Sequence, residues 1–250
     1  MDRNTGQCRK GKEIEMGKLK AVFFDQDGVI IETEKDGHRV AFNTAFKEFG
    51  MDFEWDSDYY HDLLKVGGGK ERIKYYLDKI NYDGMEYKIN PDKFIKKIHL
   101  RKTEIFVELI KSAKLPLRPG IRRLMEEITH RGVFLGICTT SNEKAALAVE
   151  KYMLQGIKVN LILAGDIVKY KKPDPEIYLM ALEKSGVSAQ NAFVVEDSRI
   201  GVLAGKAAGI SVIATLNEYT KDEDVSSADI IVDSLEDFGG ITFDKLESFL

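Results

Sequence analysis

Ala21-Val22-Phe23-Phe24 runs directly into Asp25-Gln26-Asp27-Gly28, and the reading of the whole chain turns on this junction. A short apolar, β-prone run bounded by turn residues is a buried strand. Here the strand stops at two carboxylates and a glycine, so chemistry begins where the strand ends. Beyond the junction the periodicity changes. From Asp36 to Lys114 apolar residues recur at helical spacing, in Val40, Phe42, Ala45, Phe46 and Phe49 and again in Ile95, Ile98, Ile105, Val107, Leu109 and Ile110. Gly67-Gly68-Gly69 and Asn81-Tyr82-Asp83-Gly84 read as breaks between helices.

After Leu117-Arg118-Pro119-Gly120 the pattern alternates. Helices are expected over 121–131, 143–153, 176–185 and 201–208, with strands over 133–139, 161–164, 192–196 and 210–215. A last strand at 230–232 and a terminal helix near 244–250 complete the chain. Such alternation implies an α/β fold, a Rossmann-like parallel sheet core with helices on both faces. The helical stretch interrupts this core after its first strand. An all-helical cap inserted there would sit over the carboxyl ends of the strands, where open α/β sheets hold ligands. The expected units are a disordered leader over 1–17, an α/β hydrolase core over 18–33 and 117–250, and a helical cap over 34–116.

Composition narrows the function. The 250 residues are 44% hydrophobic and 31% charged with a formal net charge of -4, and the charges of both signs are interleaved. That is an ordinary globular protein without the basic field of a nucleic-acid binder. No apolar run approaches the roughly 20 residues of a membrane helix, and the leader lacks the apolar centre of a signal peptide. Met16 is an alternative start. Cys8 and Cys138 make no disulfide framework, which suits a reducing cytoplasm, or an organellar stroma if the leader is a transit remnant. No apolar helix face is left over once core and cap are assigned, so a monomer is expected.

The strand ends carry the chemistry. Asp25 and Asp27 follow the first strand, Thr139, Thr140 and Ser141 the second, and Glu196 and Asp197 the fourth, with Lys172 in the loop after the third. A parallel sheet would bring these groups to one edge. Carboxylates, hydroxyls and one ammonium suit phosphoryl transfer, whose transition state spreads charge over oxygens that need cations and donors. Clustered Asp residues suit Mg2+, a hard cation that takes oxygen ligands, whereas zinc favours His or Cys.

Phe24-Asp25-Gln26-Asp27-Gly28-Val29, Thr139, Lys172-Pro173 and Glu196-Asp197-Ser198 resemble, in order, the four motifs of the haloacid dehalogenase superfamily. The likeness runs from Lys20 to Val232, and the place of the insert resembles the subclass with a small helical cap. Glu32-Thr33-Glu34, His38-Arg39-Val40-Ala41-Phe42-Asn43 and the stretch from Leu64 to Arg72 resemble the CbbY-type branch, whose characterised members hydrolyse xylulose-1,5-bisphosphate. The interval between Glu34 and His38 is one residue longer than in the bacterial form and resembles a plant plastid group. One residue turns a helix by about 100°. A role for His38 is therefore not carried over from the resemblance, and His38 and Trp55 are expected to be structural rather than catalytic.

The resemblance implies Asp25 as nucleophile and Mg2+ ligand. It implies Asp27 as the acid and base, with its carbonyl on the metal, and Asp197 and Glu196 as further ligands. Thr139 would hold the phosphoryl group, with Thr140 and Ser141 as added donors, and Lys172 would neutralise charge. In the cap, Gly68, Gly69, Lys70 and Arg72 could cover a distal phosphate, and Glu32 could take a sugar hydroxyl. The bland alternatives are turn and cap carboxylates, a solvated Lys172 and a plain basic turn. The expected function is a Mg2+-dependent phosphatase of a small sugar phosphate, a pentulose bisphosphate among the candidates. A phosphosugar mutase of the β-phosphoglucomutase kind and a non-catalytic phosphate-binding module are the rivals.

Overall fold

The apolar run at Ala21 shows no polar alternation, and a strand of that kind belongs in the middle of a sheet covered on both faces. A computed structural model, which describes residues 19–66, 68–112, 115–236 and 240–250, places it there. The leader 1–17, Gly67 and the expected helical limit at Lys114 lie outside the described residues. Strand β1 (Ala21–Phe24) is wholly buried. It pairs in parallel with β2 (Phe134–Thr139) on one side and, on the other, with the strand Ala192–Glu196. With β3 (Leu161–Ala164), β4 (Ala192–Glu196), β5 (Ser211–Thr215) and β6 (Ile230–Val232), the order is β3-β2-β1-β4-β5-β6 with every pairing parallel. Alternation along β1 sends Phe23 to one apolar cluster and Phe24 to the other. Both rings are fully buried, each stabilising the fold by about 2–3 kcal/mol.

All five strand pairings being parallel, the carboxyl ends of the strands share one edge, and the chain leaves β1 over that edge. A π-helical turn at Glu34–His38 leads into α1 (Arg39–Glu48), followed by α2 (Ser57–Leu63), α3 (Gly69–Lys79), α4 (Met85–Ile89) and α5 (Pro91–Lys111). Among the described residues of this segment there is no strand. Helix α5 starts sharply because the Asn90 side chain accepts from the Lys93 N–H at 3.0 Å and proline occupies the first turn. Its buried residues are Phe94, Ile95, Ile98, Lys102, Thr103, Ile105, Phe106 and Ile110, so a lysine stands where an apolar residue is expected. The two passages between sheet and helices touch each other. Ile31 forms a bridge with Leu117, and the Arg118 N–H donates to the Ile30 carbonyl at 2.9 Å.

The core helices are α6 (Ile121–His130), α7 (Glu143–Met153), α8 (Glu176–Ser185), α9 (Arg199–Ala207) and α10 (Phe243–Ser248). Helix α9 begins two residues before the expected 201 because the Ser198 hydroxyl caps it, accepting from the Gly201 N–H at 3.3 Å.

Candidate active site

Sheet hydrogen bonding carries through to the first acid: the Asp25 N–H donates to the Val195 carbonyl at 2.9 Å, so the side chain leaves the very end of β1. Lys172 meets it there. Its ammonium donates to Asp25 Oδ1 at 2.6 Å, to Glu196 Oε1 at 2.6 Å and to the Cys138 carbonyl at 2.9 Å, and its side chain is 4% exposed. The solvated-lysine alternative is thus excluded. The neighbouring Lys171 pairs instead with Asp166 at 3.0 Å. The Tyr178 hydroxyl donates to the same Glu196 oxygen, and the Lys172 ammonium lies 5.0 Å from the centre of that ring.

Burial pushes the Asp25 carboxyl up, Lys172 pulls it back, and the Glu196 and Asp27 carboxylates push it up again, leaving it at about 7. Burial opposes the Lys172 ammonium, but the two carboxylates on it prevail and hold it above the ordinary lysine range. Asp197 is raised, first by burial and then by Asp25 and Glu196. Asp25, Glu196 and Asp197 are all buried, and each offers an oxygen within 4.8 Å of the others. A buried donor set made only of carboxylate oxygens fits Mg2+.

Two glycines make this crowding possible. Gly28 has φ +78° and a Cβ on it would fall 2.1 Å from Asp197 Oδ2, while a Cβ on Gly201 would fall 2.0 Å from Glu196 Oε2. Both positions require the bare backbone.

Asp27 has a different set of partners. Its Oδ2 accepts from the Ser141 hydroxyl and lies 3.6 Å from His38 Nε2. Burial would raise this carboxyl, yet the His38 and Ser141 contacts outweigh it and hold Asp27 below the usual carboxylate range. Thr139 is buried, and its Oγ1 accepts from the Ser141 N–H at 3.1 Å. Thr140 is exposed beside it.

His38, expected to be structural, closes the π-helical turn Glu34–His38. In this turn the His38 and Gly37 N–H groups both donate to the Thr33 carbonyl, at 2.5 and 3.1 Å. His38 is buried beside Asp27. Behind it Lys102 Nζ lies 2.9 Å from His38 Nδ1.

The expected cap residues lie farther out. Gly68 and Gly69 begin α3, and a Cβ on Gly69 would fall 2.8 Å from His99 Nε2. Arg72 donates to the Val66 carbonyl at 2.9 Å and to the Tyr60 hydroxyl at 3.2 Å, and Tyr60 donates to Glu34 at 2.7 Å. Lys70 is exposed, and its charge is felt at His99 and at Asp166 in the loop after β3. Asp166 follows β3, so Lys70 lies within electrostatic reach of that loop. Glu32 Oε1 is buried with no hydrogen-bond partner among the described residues, and burial raises its carboxyl against the pull of Arg118.

Sequence reasoning set His38 aside and passed over Lys102, Tyr178 and Asn217. A lysine within the apolar stripe of α5 and an amide just beyond the end of β5 were the available signals.

The sequence model of the haloacid dehalogenase-like hydrolases matches residues 22–215. The chain belongs to this family. Among curated relatives of this haloacid dehalogenase-like hydrolase, a CBBY-like protein of Arabidopsis thaliana is 45% identical over 221 residues, covering 87% of this chain and 69% of the relative. Protein CbbY of Cereibacter sphaeroides is 37% identical over 227 residues, covering 89% and 95%. The crystal structure of a CbbY variant from Rhodobacter sphaeroides in complex with xylulose-(1,5)bisphosphate superposes with a TM-score of 0.76 at 35% identity, covering 89% of this chain and 97% of that one. Membership and the intact acidic site make the chain a phosphohydrolase. Among its described residues no helix is long and apolar enough to cross a membrane.

Proposed function

We propose that the chain is a Mg2+-dependent phosphatase acting on a small sugar bisphosphate of the pentulose class, through an aspartyl phosphate on Asp25. The observation that carries the reading is the buried set of Asp25, Glu196 and Asp197 with Lys172 bonded to two of its members. Asp25, Asp197 and Glu196, with the Asp27 carbonyl, would hold the metal. Bound there, Mg2+ supplies the positive charge that lets a carboxylate approach a phosphate ester.

The chain's own residues do the rest. Lys172 steadies Asp25 and neutralises part of the phosphate charge, and Thr139, Thr140 and Ser141 present donors to the phosphoryl oxygens. Asp25 attacks phosphorus and the ester oxygen leaves, taking a proton from Asp27. A phosphate arriving beside Asp27 adds like charge, which favours the protonated acid needed for that donation. With the leaving group gone, His38 and Ser141 again favour the carboxylate, which accepts a proton from the water that attacks the aspartyl phosphate.

The bisphosphate reading rests on the cap. Lys70, Arg72 and Lys102 bring three cations toward the cleft, Lys102 close enough for its charge to be coupled to Asp27, and the orphaned Glu32 oxygen suits a sugar hydroxyl. The relative bound to xylulose-(1,5)bisphosphate supports the same class. On this reading residues 34–116 form a cap hinged at Ile31 and Leu117 on the core of 18–33 and 117–250, and closure excludes water. A monomer in a cytoplasmic or stromal compartment completes the proposal.

The test is a panel of sugar phosphates containing xylulose 1,5-bisphosphate and glucose 1-phosphate, assayed for released phosphate and for glucose 6-phosphate. Wild type is expected to release phosphate from the bisphosphate in Mg2+ and not in EDTA, and folded Asp25→Asn to release none. Turnover by Asp25→Asn would reject the nucleophile. Glucose 6-phosphate as the main product would replace the phosphatase by a mutase.

A further inference from the structure

Just beyond the end of β5, the Asn217 side chain bonds on both sides. Its Oδ1 accepts from the Tyr219 and Thr220 N–H groups at 2.9 and 3.1 Å, and this fixes the orientation of the amide, because only the oxygen can accept. The nitrogen therefore faces the other way, donating to Asp197 Oδ2 at 2.7 Å with the Gly28 carbonyl at 3.5 Å. That carbonyl also accepts from Arg118, which donates further to the Thr215 carbonyl at 3.1 Å and the Leu216 carbonyl at 2.6 Å. Gly28, Asp197, the segment after β5 and the second passage to the helices are thus one hydrogen-bonded unit.

Building on the Mg2+ site proposed above, we infer that Asn217 is a positioning residue for the metal: it holds Asp197 by Oδ2 and leaves the other carboxylate oxygen as ligand. The residue type fits the task. A carboxylate left to rotate could turn both oxygens away from the cluster or take a proton. A lysine or arginine in this place would hold it but repel the cation. A neutral amide holds the carboxylate without opposing the metal's charge, and Asn217 is itself held by two backbone donors. Arg118 backs the same arrangement from the carbonyl side, and its charge favours the ionised Asp197. Partners of this outer kind orient ligands, and losing one weakens metal affinity by about 10–100-fold.

Asn217→Ser separates this role from that of the turn. The serine hydroxyl can still accept from the Tyr219 and Thr220 N–H groups, but it is too short to reach Asp197. Isothermal titration of Mg2+ into the metal-free full chain is expected to give a dissociation constant about 10–100-fold higher than wild type. Thermal unfolding in EDTA should shift by only a few degrees, about 2–4 °C for each kcal/mol lost. At saturating Mg2+ the KM for substrate should be unchanged. A folded variant that binds Mg2+ within about twofold of wild type overturns the inference. Asn217→Thr, with the same short reach, is read in the same way if the serine variant does not fold. Wild type that takes up no Mg2+ removes the metal reading itself, and this inference with it.

Discussion

Replacing Lys172 by methionine keeps the volume of the side chain and removes its charge, at a place where the charge holds buried acids together. The ammonium is bonded to Asp25 and Glu196 at 2.6 Å each and to the Cys138 carbonyl at 2.9 Å. Taking away one partner of a buried ion pair costs about 3–5 kcal/mol, because the remaining charge is left uncompensated. The methionine itself costs little, since volume-conserving swaps lie below about 1.5 kcal/mol. In a chain of this size each kcal/mol moves the midpoint by about 2–4 °C, so Lys172→Met should melt roughly 10 °C below wild type in EDTA at pH 8. Mg2+ brings a replacement positive charge to the same carboxylates, so the deficit should shrink in excess Mg2+ while phosphatase activity stays lost. The assay is thermal and urea unfolding followed by circular dichroism, with and without the metal. A loss under about 1 kcal/mol in EDTA would refute the reasoning, since the acids would then be shown to need no buried counter-charge.

Gly28→Ala should fold with a penalty of about 1–2 kcal/mol for a side chain in the left-handed region. It should also bind Mg2+ more weakly, because the new Cβ displaces Asp197 Oδ2 from a point 2.1 Å away; unchanged Mg2+ titration would contradict this. Lys70→Ala removes an exposed cation and should lower kcat/KM about 10–100-fold on a sugar bisphosphate, with little effect on p-nitrophenyl phosphate. Equal losses on both substrates would end the distal-phosphate assignment. Lys102 gives a pH signature. Burial lowers its folded value to about 8 from 10.5, with Glu34 and Asp27 opposing, so between these pH values the unfolded chain holds a proton that the folded one lacks. Wild-type stability relative to Lys102→Met should therefore rise across that window by about 1.4 kcal/mol per pH unit and level off below pH 8. A flat difference in urea unfolding from pH 8 to 10.5 would refute it.

Local sequence determined the scaffold. An apolar run without alternation at Ala21 can only be a central strand, and βα alternation after Gly120 admits a parallel sheet. Because side chains at the carboxyl ends of parallel strands converge, Asp25, Lys172 and Glu196 could be assigned to one place from their positions after strands. The same rule applied to β5 would have pointed to Asn217.

What the tertiary structure decided depends on how segments far apart in the chain meet. His38 faces Asp27 from a π-helical turn, and no pattern of side chains announces which backbone hydrogen bonds a turn will choose. Lys102 reaches His38 across 64 residues, and Tyr178 becomes a donor to Glu196 only when α8 packs beneath the strand ends. Sequence spacing states which residues share a face of one helix or strand. The distances between faces, and with them the protonation of Asp25 and Asp27, follow from packing alone.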